Sequence, residues 1–244
     1  MVLVILLGFK CVQMGLWFLI SLFVILPCED RDVMSWIERC KSQDSGQVSI
    51  AINALRVFDE SAFNQQARAE IGDLIVDKTR HLDDIILIAG WLGLSADIEA
   101  YERTKENHPP RIFQRIQLAK LRAGNTSKLT GFLKNVKEVP IDDEFNYTIA
   151  PLVAYTRQKP AVDYLLEVIS MRISGCSPGD AESSGNIDCA YRLVEMVAPI
   201  INEFPYELNK SGDIKTDDYP SMLEDVRNWI TVNKASYTIN NRKY

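Results

Sequence analysis

Between Arg111 and Ile173 apolar positions recur every three or four residues, interrupted by short polar breaks. That spacing lines them up along one face of an α-helix, whereas a half-buried strand needs strict alternation. The first half, RIFQRIQLAKLRAGNTSKLTGFLKNV, predicts a helix, a break at Gly124-Asn125-Thr126, and a second helix carrying Phe132 and Leu133. The second half, DEFNYTIAPLVAYTRQKPAVDYLLEVI, predicts a helix, a break at Gln158-Lys159-Pro160, and a helix carrying Leu165 and Leu166. The halves match at an offset of about 34 residues, a period typical of one supersecondary unit stacked repeatedly.

The same spacing predicts helices over 32–41, 48–58, 67–78, 82–94, 96–106, 187–202 and 217–233. Ser95 is placed to cap one of them, and Pro110 suits the first turn of another. Pro199 is expected to kink or shorten the helix that contains it. The Gly/Ser/Pro-rich stretch 174–186 reads as an exposed loop, and 204–218 as an extended linker with turns. The tail SYTINNRKY reads as frayed. Strand signals are scarce. The fold class is therefore all-α, expected to be an α-solenoid of about five antiparallel helix pairs, with a capping helix at about 217–233.

At LAKLRAGNTSKLTGFLKNV and LVAYTRQKPAVDYLLEVI the chain resembles the short HEAT-type repeats of many bacterial proteins, best over about 82–173. In those an apolar first helix ends in a small or polar turn, and a second helix carries a Leu-Leu pair. The resemblance implies stacked helix pairs that offer a concave surface to a protein partner. Tetratricopeptide repeats are the nearest rival, but with Gly93 at their fixed glycine, Pro109 falls too early for their period.

Residues 1–28 are apolar apart from Lys10, Gln13 and Ser21, and the charged Glu29-Asp30-Arg31-Asp32 follows at once. Such a segment is expected to be a signal peptide or membrane anchor, leaving 29–244 as the helical domain. Cys28 at its end resembles the lipid-attached cysteine of bacterial lipoprotein signals, although Pro27 stands where a small residue is usual. The expected location is thus exported, either membrane-associated or periplasmic or extracellular.

The formal net charge is −6, and because Lys10 is the one charged residue of 1–28, the remainder carries −7. An acidic body lacks the broad basic footprint that nucleic acid requires. Against that background Pro110–Lys137 holds seven cations and no acid. Arg111, Arg115 and Arg122 share a helix face, as do Lys134 and Lys137, and the five are expected to form a basic ridge for an acidic protein segment or anionic lipid headgroups. A solvated charged face is the alternative.

Cys176 and Cys189 flank the polar loop and are expected to form a disulfide in an oxidising compartment; two unrelated thiols are the alternative. His81 and His108 are the only histidines and no CxxC pair occurs, so an ordinary zinc site is not available. Asp83-Asp84 and Asp142-Asp143-Glu144 read as helix-start acids, and Trp91 and Trp229 as packing residues. Asn209, Ser211 and Asp213 have the alternate spacing of a calcium loop, but Ile214 replaces its glycine. No cofactor and no catalytic residue are expected. Two functions remain: a non-enzymatic interaction scaffold of the cell envelope, or an all-helical envelope enzyme with carboxylates converging in the groove.

Overall fold

The structure, a computed structural model, describes residues 32–178 and 185–244. The signal or anchor segment and Cys28 lie outside the described residues. Eleven α-helices make up the described chain: α1 Val33–Arg39, α2 Ser45–Leu55, α3 Gln65–Asp73, α4 Leu82–Trp91, α5 Ser95–Glu102, α6 Pro110–Arg122, α7 Leu129–Lys137, α8 Ala150–Tyr155, α9 Lys159–Ser170, α10 Ala190–Val197 and α11 Tyr219–Asn233. A π-helical turn, Phe145–Ile149, runs directly into α8. Extended pairing among the described residues is confined to three isolated bridges. The protein is all-α.

Short side chains with oxygen acceptors set several helix starts. Asp32, Asp44, Asn64 and Asp218 each accept a backbone N–H from the first turn of α1, α2, α3 and α11. Such a cap replaces one of the hydrogen bonds that a helix start lacks. Asp142 does the same for Phe145 at 3.0 Å. Pro110 and Pro160 lie in the first turns of α6 and α9, where the missing N–H costs nothing.

Several boundaries differ from the sequence pattern. Ser95 is the first residue of α5 rather than its cap, and Leu94 takes the cap position with no side-chain bond. The helix expected over 67–78 ends at Asp73, and the one expected over 187–202 shrinks to α10 plus a 3-10 turn at Ala198–Ile200 that contains Pro199. Proline there removes a helical N–H and forces the tighter turn.

The helices that pack most closely on one another are one or two places apart in the chain. One apolar cluster gathers Ile37, Ile52, Leu55, Ile71, Ile85, Ile88, Trp91 and Ile98; a second gathers Phe145, Val153, Leu165, Ile169, Leu193, Val194, Val226 and Ile230. Helix α6 serves both, giving Ile116 and Ala119 to the first and Leu121 to the second. Its closest partner is α4, through Gly90. A Cβ at Gly90 would lie 2.6 Å from both Ala119 Cα and the Tyr155 hydroxyl oxygen, so only glycine fits. The Tyr155 hydroxyl in turn donates to Leu87 O at 2.6 Å, pinning α8 to the same crossing.

The tail is not frayed. Asn202 N donates to Thr238 O and Asn240 N to Ile200 O, so residues 238–240 run as an extended pair with the end of the α10 region. Beyond it, Glu60 N donates to Arg242 O at 2.9 Å, which places the last residues against the segment before α3. Tyr244 packs on the first of the two apolar clusters.

Candidate interaction surfaces

The seven cations of 110–137 are divided over different faces. Arg111 is exposed and pairs with Asp83. Lys120 pairs with Glu102 at 2.7 Å. Lys137 lies over the Tyr164 ring, 5.3 Å from its centroid. Lys128 and Lys134 are exposed. Arg115 and Arg122 point elsewhere, toward Tyr155 and the tail. The expected single ridge is thus split between an α6–α7 side and a tail side, because at about 100° per residue Arg115 and Arg122 sit roughly 100–180° away from Phe113, Gln117 and Leu121 around α6.

On the α6–α7 side lies a shallow, mostly apolar groove of about 330 Å³, lined by Phe113, Gln117, Leu118, Leu121, Lys128 and Phe132 among others. Phe113 is 50% exposed, although Leu118 and Leu121 beneath it are buried. Gly131 also lines the groove, and Lys134 follows it by about one helical turn. The groove joins an uncovered aromatic ring to a cationic wall with no acid on either helix.

On the tail side, the Tyr244 ring enters a slot. It meets Trp91 edge-on at 5.7 Å and Tyr155 at 5.8 Å, with the Arg56 guanidinium 4.8 Å above its centroid. Arg122 Nη2 donates to Asn241 O at 3.1 Å and Lys243 O at 3.0 Å, while Arg157 Nη2 donates to Tyr244 O at 3.0 Å. Arg157 itself adopts a left-handed backbone, φ 52°, and its Nη1 donates to Ala154 O of α8 at 3.3 Å. Burial, helped by repulsion from Arg122, pushes the Arg157 guanidinium down to about 9; burial likewise pushes Arg122 down to about 10. Both stay charged at neutral pH, and the depression reflects the water that burial strips from each guanidinium. Arg56 Nε, Arg115 Nε, Arg122 Nη1 and Arg157 Nε are all buried without a hydrogen-bond partner. The pattern of apolar positions gave no hint of this slot; the one trace is an aromatic residue closing an otherwise polar tail.

Cys176 and Cys189 are joined by a disulfide, with Cα atoms 5.1 Å apart. Around it Ile187 N donates to Cys176 O at 2.8 Å, Cys189 N to Ile173 O at 2.8 Å, and Asn146 Nδ2 to Cys189 O at 3.0 Å. Cys40 is a free, buried thiol that burial pushes up to about 12, which keeps it protonated and unreactive.

The remaining candidates have structural partners. Asp83 and Asp84 occupy the first turn of α4, paired with Arg111 and Arg56. His81 precedes α4 in a left-handed conformation and bonds Ser45 Oγ at 2.8 Å, without capping the helix through its side chain. His108 stacks on Tyr101 at 4.8 Å. Asn209 Oδ1 accepts from Ser211 N and Asp213 N, which makes its loop an Asx turn. No cluster of metal-ligating side chains occurs among the described residues. The carboxylates in the hollow of about 490 Å³ beside Cys40 are Glu70, held by Lys41 at 2.8 Å, and Asp73. Trp91 is buried as a packing residue, and Trp229 is half-buried against Phe204 at 5.2 Å. Among the described residues no helix is long and apolar enough to cross a membrane.

Comparison of the chain with protein-family models, curated proteins and solved structures finds no match. The fold defines an all-helical protein with eleven α-helices among the described residues, carrying a disulfide that hints at an oxidising, extracytoplasmic space.

Proposed function

We propose that the chain is an exported, non-enzymatic interaction protein whose helices stack in a HEAT-like array and whose α6–α7 face receives an acidic, amphipathic segment of a partner protein. The observation that carries this reading is the groove between α6 and α7. Apolar lining with one uncovered aromatic ring is the composition of a docking surface, since aromatic anchors supply most of the energy at such sites. The Lys128 and Lys134 charges beside it select for acid and speed encounter, while the −7 balance of residues 29–244 repels acidic partners elsewhere. The Cys176–Cys189 disulfide and the apolar leader support export.

The test is affinity capture from envelope extracts with the parent, with Phe113→Ser, and with Lys128→Glu plus Lys134→Glu. A partner held by this groove is lost with either variant and is weakened by moderate salt, because exposed charges are screened beyond about 8 Å at physiological ionic strength. If both folded variants keep every partner of the parent, the groove is only a solvated surface. Retention of anionic-lipid vesicles alone would replace the protein partner with a membrane surface.

A further inference from the structure

The slot that holds Tyr244 is poorly matched to its occupant. Arg56 lies over the Tyr244 ring, Arg122 lies 5.9 Å from the Tyr155 ring centroid, Arg157 holds Tyr244 O, and Arg115 is near enough to act on both phenols; each of the four keeps a buried nitrogen with no partner. The one carboxylate bonded to any of them is Asp84, on Arg56. The tail answers Arg122 with the neutral carbonyls of Asn241 and Lys243 and Arg157 with the Tyr244 backbone oxygen, and it carries two side-chain cations of its own, Arg242 and Lys243. Buried arginines gain far more from a carboxylate, which accepts two parallel N–H bonds, than from a carbonyl. Residues 241–243 are exposed, so between Ile239 and Tyr244 the segment is held by its backbone and by a single aromatic anchor. Backbone grip plus one anchor is how an extended peptide is recognised, rather than how a core strand is packed.

We propose that the arginine-lined slot is a docking site for an extended, acidic segment of a partner protein anchored by an aromatic residue, and that residues 240–244 occupy it as an intramolecular placeholder. The placeholder supplies the anchor and the backbone but no acidic side chain. An acidic competitor supplies all three and satisfies the unpartnered donors. The slot lies on a different side of α6 from the α6–α7 groove, and its occupancy does not depend on that groove having a ligand.

The experiment uses the full chain and a fluorescein-labelled peptide Glu-Asp-Glu-Asp-Tyr, read by fluorescence anisotropy. Tyr244→Ala removes the anchor that keeps the slot closed, and binding is expected to tighten at least about tenfold over the parent, as the competent fraction rises. Adding Arg122→Gln to that variant should lose most of the gain, as should replacing the acids of the probe with lysine. Lys128→Glu plus Lys134→Glu should leave binding unchanged, which separates this site from the groove. Should Tyr244→Ala not fold, Arg242→Glu plus Lys243→Glu decides the matter. Those changes are at exposed positions and give the tail the acidic side chains it lacks, so probe binding should fall severalfold below the parent. Equal binding by the parent and a folded Tyr244→Ala variant, or unchanged binding with the acidified tail, overturns the proposal.

Discussion

The two ends of the loop closed by Cys176 and Cys189 and the segment 234–244 are tied to the body by opposite means. The loop is held covalently and locally. Its bridge and the Cys176–Ile187 pairing close a short circuit, and it leans on Asp143, which accepts Ser177 N at 3.0 Å. The tail is held without a covalent tie and across the molecule: Arg122 reaches residues 119 and 121 positions later, and Arg157 reaches one 87 positions later. Local closure constrains the unfolded chain, whereas distant closure is realised only after both apolar clusters have formed. The tail therefore reports on the assembled body in a way the loop does not.

That contrast is open to direct tests, and the largest effect is expected at the disulfide. Replacing Cys176 and Cys189 by serine should cost about 3 kcal/mol in denaturant unfolding, the size expected for closing a loop of this length. Trypsin cleavage at the exposed Arg242 and Lys243 of the native state should not accelerate. Faster cleavage there would mean that loop and tail are one cooperative unit.

The reverse experiment is Tyr244→Ala. Truncating a fully buried aromatic costs about 3–5 kcal/mol, but this ring sits on an exposed segment that can lift away and rehydrate, so a loss of about 2 kcal/mol is expected. Native-state trypsin should then cut at Arg242 much faster while the loop stays intact. A smaller and purely local effect should follow Asp142→Ala. It removes the bond to Phe145 N beneath the loop, costs about 1 kcal/mol as helix caps do, and leaves tail cleavage unchanged.

The two regions also differ in how much of them the chain discloses. A cysteine on each side of a polar stretch can be read as a staple from spacing alone. Helix existence was equally readable, because apolar spacing is a local signal, though Asp73 and Pro199 end helices earlier than the pattern does. The tail slot was not readable. Its parts, Arg56, Trp91, Arg122, Arg157 and Tyr244, are scattered over most of the chain, and a polar run such as NNRKY looks unfolded by composition. The cations of 110–137 show the same limit. Their spacing around each helix was legible, but which side would meet the tail depended on the α4–α6 crossing at Gly90.

The finest separation of loop and tail comes from pH. The hydrogen bonds from Ser177 hold the Asp143 carboxyl below its ordinary value, so its contribution is present above that value and is lost as pH falls through the lowered one. Tyr244 runs the other way. Burial raises its phenol above the ordinary value, so its contribution is complete below about pH 10 and is lost as pH climbs through the raised value. Arg56, Arg115, Asp84 and the buried Tyr155 surround that ring, and Tyr155 is itself raised by burial, so alkaline loss in the parent combines both phenols. Tyr244→Phe isolates the tail, since phenylalanine fills the slot and cannot ionise. Thermal midpoints of the parent and Tyr244→Phe should run parallel from pH 6 to about 9 and then diverge, the parent falling faster. Asp143→Asn should flatten the fall below about pH 4 and change nothing in alkali. Parallel alkaline curves would show that Tyr244 leaves its slot before it titrates, and that the arginines grip the backbone of the tail more firmly than the slot grips the ring.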